Sequence, residues 1–178
     1  MTQVPATRAP RDSGVPAEAR EFSVKDRVVL VTGAGQGIGR ELARQFAAAG
    51  AIAVVADLNV ANAEAVQGEI FSVGGQALAV HVDVGSKFSI DRMVGSIFSK
   101  YGRIDALINN ASIFATLAKR PFDQIPIEEW EKVMNVNVTG TFLCAAAVAQ
   151  HMRDAGWDAS SIFHLTPCRG VQRTTSTM

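Results

Sequence analysis

Four glycines at alternate positions, Gly33, Gly35, Gly37 and Gly39, follow an unbroken apolar run from Val28 to Val31 and precede residues at helical spacing, Ile38, Leu42 and Phe46. Without Cβ atoms, such a stretch turns tightly and lets a bulky anion approach the peptide groups. A helix opening there has N–H groups with no partner in the chain, and a pyrophosphate can take them together with the positive end of the helix dipole. The chemistry on offer is nucleotide binding. Asp57 ends the next apolar run, from Ala53, close to the distance of about twenty residues at which an acid accepts the hydroxyls of an adenosine ribose. A carboxylate there repels a 2′-phosphate, and no Lys or Arg among Ala34, Gly35 and Gln36 attracts one, so NAD is expected over NADP. The plainer alternative is that the glycines only make turns and that Asp57 caps a helix.

The elements that must position these residues follow from periodicity. Val28 to Val31 reads as a strand buried on both faces, with further strands at Ala53 to Asp57, Ala77 to Val82, Ala106 to Asn109 and Ile162 to Leu165. Ala61 to Val73 is expected to be a helix stopped by Gly74 and Gly75. Ile90, Met93, Val94, Ile97, Phe98 and Tyr101 mark one face of another, closed by Gly102. Pro121 and Pro126 punctuate a loop, after which Trp130, Val133, Met134, Val138 and Phe142 carry a long helix toward His151. The alternation predicts an α/β fold, a doubly wound parallel sheet of Rossmann type with right-handed crossovers.

Composition excludes several classes. Lys+Arg and Asp+Glu balance at 17 each, so no net field recruits nucleic acid or an anionic membrane, and neither partner is expected. The uninterrupted apolar runs are far too short for a membrane span. Two cysteines, Cys144 and Cys168, make no disulfide framework, and Cys144 in its alanine-rich helical pattern reads as a buried thiol. The first segment, residues 1–23, holds Pro5, Pro10 and Pro16 without an apolar stretch and is expected to be a disordered leader rather than a signal or transit peptide. The expected location is therefore cytoplasmic. His81, alternating with apolar neighbours, reads as a core histidine, and His151 as a surface partner of a helix dipole. The spacing of the histidines suggests no metal.

With T-G-A-G-Q-G-I-G at Thr32 to Gly39, D-V at Asp83-Val84, N-N-A-S at Asn109 to Ser112 and V-N-V-T-G at Val136 to Gly140, the chain resembles the short-chain dehydrogenase/reductase family from about Val24 to about Leu165. The resemblance implies a Rossmann domain over 24–165 that binds NAD(P) and carries hydride between it and a small alcohol or carbonyl substrate. By the same resemblance Gly33, Gly37 and Gly39, with Gly35, Gln36 and Ile38 between them, line the pyrophosphate. Asp57 and Leu58 lie at the adenine ribose, Asp83 and Val84 at the adenine, and Asn109 and Ala111 at the cofactor's centre. Asn137 matches the asparagine that anchors a water in the family's proton relay. It is the one catalytic candidate, although an amide satisfying backbone groups beside the sheet is compatible with that role. Asp83 is equally readable as a strand-end acid that caps the next helix.

The family's acid–base pair is missing. It consists of a tyrosine with a lysine four residues later, whose cation favours tyrosinate. The single tyrosine, Tyr101, has Asp105 at that place, and no Tyr-x-x-x-Lys occurs anywhere. Where the resemblance puts the catalytic serine the chain has Pro167, with Thr166 beside it and His164 on a position that is often asparagine. Residues 166–178 follow no helical or strand period and read as an irregular tail, as a frameshift, early stop or altered splicing would leave it. On that reading the sheet is incomplete at its C-terminal end and its fifth strand becomes an exposed edge. A homo-oligomer stays open, although helices that the family commonly assembles with would be absent. The expected function is an NAD(P)-dependent oxidoreductase, impaired in this chain. The competing reading is a non-catalytic dinucleotide-binding or partner-binding fragment, and a methyltransferase on a similar sheet leaves the asparagine motifs unexplained.

Overall fold

A computed structural model describes residues 23–114, 116–154 and 162–164. Of the segments expected at the two ends, 1–23 and 166–178, all but Ser23 lie outside these residues, as do Leu165, Thr166, Pro167 and Cys168.

Strands and helices alternate as β1 (Val28–Thr32), α1 (Gly37–Ala48), β2 (Ile52–Asp57), α2 (Val60–Ser72), β3 (Gln76–His81), α3 (Lys87–Tyr101) and β4 (Ala106–Asn109). They continue as α4 (Ile127–Met134), a π turn at Asn135–Gly140, α5 (Thr141–Asp154) and β5 (Ile162–His164). The five strands pair in parallel in the order β3-β2-β1-β4-β5. The expected doubly wound sheet is present. Its strand order reverses between β1 and β4, the place where such sheets open a crevice at their C-terminal ends.

All five β1 residues are buried, because successive side chains enter two separate cores. Val28 and Leu30 face one with Ile90, Met93, Ile97, Cys144, Val148 and Met152. Val29 and Val31 face the other with Ala43, Ala47, Ala63, Val66 and Ile70. Helices α3 and α5 thus cover one face, and α1 and α2 the other. At the opposite end of the sheet from the crevice, the largely buried Asp105 carboxylate accepts from Val28 N–H at 2.8 Å and pairs with Arg27 at 3.2 Å and with Arg103, tying the start of β1 to β4.

Several expected faces are rotated. In α1 the fully buried stripe is Gly39, Ala43 and Ala47, with Leu42 and Phe46 packed partly buried beside it, and Ile38 is 65% exposed. Small residues let the helix lie close to the sheet, so the larger apolar ones are pushed aside. Beyond Pro126 the same happens: Trp130, Val138 and Phe142 are more than half exposed, while Gly140, Cys144, Val148 and Met152 pack inward. The π turn adds a residue to one helical turn and shifts the phase between α4 and α5. Together they form one 27-residue helix, Ile127–Arg153, long and apolar enough by composition alone to cross a membrane. The expectation of no span rested on short apolar runs, and polar residues interrupt those runs but not the helix. His81 is exposed, not a core histidine, because β3 is an edge strand. His151 stacks on Phe98 with ring centroids 4.2 Å apart, so it packs against α3 rather than standing free at a helix end. Cys144 is fully buried as expected, and burial pushes its thiol up to about 12.

Candidate functional site

At the C-terminal ends of β1, β2 and β4 lies an open cleft of about 1430 Å³, larger than the ~300–1,000 Å³ usual for a small-molecule pocket. Its floor is the glycine turn, clamped to the loop after β4. The buried Thr32 hydroxyl accepts from the N–H groups of Asn110 and Ala111 at 3.1 and 3.2 Å. Asn110 Nδ2 in turn donates to the carbonyls of Thr32 and Gly33, both at 3.0 Å. Gly33 has φ +63, and a Cβ on it would sit 2.7 Å from Ala111 Cα, so both conformation and space demand glycine. A Cβ on Gly39 would collide with the Asn110 amide and the Gly33 carbonyl. Gly37 differs: its φ is +58, but a Cβ there would meet nothing within 4 Å. The Gly37 backbone therefore faces open space.

Helix α1 starts at this point without a cap. Its N-cap residue, Gln36, is extended and makes no side-chain bond to the helix, and no acid stands in the first turn. The first backbone bond runs from Arg40 N–H to Gln36 O, which leaves the amides of Gly37, Ile38 and Gly39 free of backbone partners in the helix.

Asp57 reaches the turn from the end of β2. One carboxylate oxygen accepts from Gly35 N–H at 2.8 Å and the other from Asn59 N–H at 2.9 Å. The alternative in which Asp57 caps α2 is not realised, since Asn59 is the N-cap and accepts from Asn62 N–H. A carboxylate has about four acceptor positions, so two remain for a ligand. Leu58 is 66% exposed at the rim. On the far wall, Asp83 accepts from Gly85 N–H at 2.9 Å, and its own N–H donates to Ser89 Oγ at 2.9 Å. Asp83 does not cap α3 either, because Ser86 does. Val84 lies beneath it, and Gly140 lets the π turn approach: a Cβ there would be 2.6 Å from the Val84 carbonyl.

Asn137, on the π turn, pairs with both backbone groups of Ile113: the Ile113 N–H donates to its Oδ1 at 2.8 Å, and its Nδ2 donates to the Ile113 carbonyl at 3.0 Å. The side chain thus positions the wall of the cleft, while the Asn137 carbonyl accepts from Thr141 Oγ1 at 2.9 Å. Asn109, expected at the cofactor's centre, and its neighbour Asn110 face different surroundings. Asn109 is 4% exposed, does not line the cleft, and its Nδ2 has no partner among the described residues. Asn110 lines the cleft instead. Strand register decides which of the two adjacent asparagines turns to the cleft. Thr32 and Asn62 also escaped the sequence reading; Thr32 could have been found as the polar residue that ends a wholly apolar strand.

Among the described residues no tyrosine lines the cleft, and Tyr101 packs on the α3 core instead. No group of His, Cys, Asp or Glu among those residues could hold a metal.

Comparison with known proteins agrees with this architecture. Residues 27–162 match the family described as short chain dehydrogenase. A 3-oxoacyl-(acyl-carrier-protein) reductase of Synechocystis is 41% identical over 128 residues, covering 71% of this chain and 50% of that protein. A D-threitol dehydrogenase of Mycolicibacterium smegmatis is 34% identical over 139 residues, covering 78% of this chain and 52% of that protein. A metagenomic short-chain oxidoreductase crystallised with NADP superposes with a TM-score of 0.73 at 28% identity, covering 83% of this chain and 65% of the other. The chain spans about half the length of the curated relatives it matches. With its strand order, its glycine turn against Asn110 and a match over most of its length, the chain belongs to the short-chain dehydrogenase family.

Proposed function

We propose that the cleft binds a nicotinamide dinucleotide, NAD in preference to NADP, as the cofactor half of an oxidoreductase acting between an alcohol and a carbonyl. The observation that carries this reading is the uncapped start of α1 over an open Gly37, with the Asp57 carboxylate beside it. The free amides of Gly37, Ile38 and Gly39 suit pyrophosphate oxygens. Asp57, held in place by two backbone N–H groups, offers its remaining lone pairs to the ribose hydroxyls. Its charge has no Lys or Arg within ion-pair distance among the described residues, so a 2′-phosphate would meet repulsion. Asp83 and Val84 would flank the adenine, and Ala111, with Asn110 rather than Asn109, would face the middle of the cofactor.

When bound, the dinucleotide supplies hydride exchange at its nicotinamide. The chain's own part is to bind, orient and wall off: Asn137 fixes Ile113 and hence the wall after β4. A cytoplasmic, reducing setting, in which the buried Cys144 stays a thiol, belongs to the same reading. One observation favours a second reading, a dinucleotide-binding fragment without turnover. The only tyrosine is Tyr101, which has Asp105 rather than a lysine four residues on, and it does not line the cleft.

Calorimetric titration of the 178-residue chain with NADH and NADPH tests the proposal. Saturable NADH binding, with NADPH weaker, is the expected result; a folded, monodisperse sample that binds neither overturns it. NADH production from a panel of secondary alcohols then separates the enzyme from the fragment.

A further inference from the structure

A second concavity, of about 440 Å³, shares no lining residue with the nucleotide cleft. It runs between the edge strand β3 and helix α3. Leu78, Val80 and Met93 form its apolar base, and His81, Arg92 and Lys100 give it three basic side chains and no acidic one.

The strand side of this groove has open hydrogen-bonding groups. In a strand, the N–H and C=O of one residue point to the same side, and alternate residues point to opposite sides. Val82 N–H bonds inward to Asp57 O at 2.9 Å, which directs Leu78 and Val80 toward β2 and Ala77, Ala79 and His81 outward. The Ala77 carbonyl is closed off by Gln67 Nε2 at 3.1 Å. The backbone groups of Ala79 and the N–H of His81 are left along the edge, the kind of template that accepts another strand.

The helix side sets the charge. Arg92 and Lys100 are both exposed, and among the described residues neither makes an ion pair. Each is held over a ring instead, Arg92 at 5.9 Å from the Phe88 centroid and Lys100 at 5.3 Å from that of Tyr101. Eight residues apart on a helix, they stand about 12 Å apart along its axis. In an extended strand, side chains four residues apart share a face at about 13 Å. A single small anion cannot span both cations, whereas an extended chain with acids at that interval can. A second copy of this edge is disfavoured, since it would bring the two sets of cations together.

We propose that the β3 edge and the basic face of α3 form a second binding site, which takes an extended acidic peptide by strand addition. The Ala79 and His81 backbone groups supply the pairing, and Arg92 and Lys100 select carboxylates four residues apart. The test uses the full chain and a short fluorescent peptide that alternates valine with polar residues and has glutamates four residues apart. Saturable binding is expected, with no binding of the same peptide carrying lysines or N-methylated along one edge. Arg92→Glu/Lys100→Glu, at two exposed positions, should weaken binding at least about tenfold while leaving the NADH titration and the melting curve unchanged. Absence of binding by the acidic peptide overturns the proposal. So does equal affinity for the N-methylated peptide, equal affinity of the charge-reversed chain, or displacement by inorganic phosphate at the concentration that displaces by peptide, which would mark a small-anion patch.

Discussion

Helices α1 and α2 leave the same edge of the sheet, follow neighbouring buried strands and pack on the same core, yet their first turns are finished differently. Asn59 turns its side chain back onto Asn62 N–H and closes α2, and Ser86 does the same for α3 through Ser89 N–H. Gln36 does not close α1, and the glycine beside it faces open space. A helix end left without side-chain caps has hydrogen-bonding capacity to give to something else. Among these three starts, two are closed by side chains, while the third keeps its amides available, and the proposed dinucleotide site rests on that difference.

The sharpest way to break the contrast is at the glycines. Gly33→Val adds backbone strain and a collision with Ala111, and the two together should cost about 3 kcal/mol or more, read as a lower urea midpoint. Gly37→Val, with no atom to strike, should cost only ~1–2 kcal/mol, yet it should abolish NADH binding because its side chain enters the cleft. A Gly37 variant that binds NADH normally would show that the open start of α1 is not the pyrophosphate site. Asp57→Ala comes next. Loss of hydrogen bonds to a charged group, about 1.5–3 kcal/mol, should weaken NADH by roughly ten- to a hundredfold and NADPH by less. Equal losses in the two titrations would remove the argument for cofactor preference.

Caps give smaller effects. Asn59→Ala should lower stability by about 1 kcal/mol and leave NADH affinity unchanged, whereas Gln36→Ala should change stability by less than ~0.5 kcal/mol. Comparable losses from both variants in thermal melts would erase the difference between the two helix starts. The smallest effect concerns the opposite face of the sheet. The Cys144 thiol ionises at 9.0 when unfolded and about 12 when folded, so the folded state holds its proton more tightly. Its contribution is fully present below pH 9.0 and is lost as pH rises toward about 12. Near neutral pH, stability in a Cys168→Ser background should not vary through this group, and Cys144 should resist thiol reagents until the chain unfolds. Rapid labelling of the native chain would place Cys144 outside the core.

The order of strands and helices, β1 as a doubly buried strand, the Gly102 stop and the glycine turn that opens α1 beside Asp57 were legible in the residues alone. Each rests on local chemistry: an apolar run, a glycine able to take φ +68, an acid at the end of a strand. What the residues could not reveal depends on neighbours distant in sequence. Small side chains settle against the sheet only when the whole layer packs, so α1 buries Ala43 and leaves Ile38 outside. Strand register turns Asn110 to the cleft and Asn109 inward, and the edge position of β3 exposes His81 and opens the basic groove. The π turn that swings Asn137 onto Ile113 and rotates α5 relative to α4 has the same origin, because a helix's phase is fixed by what it packs against rather than by its own sequence of apolar residues.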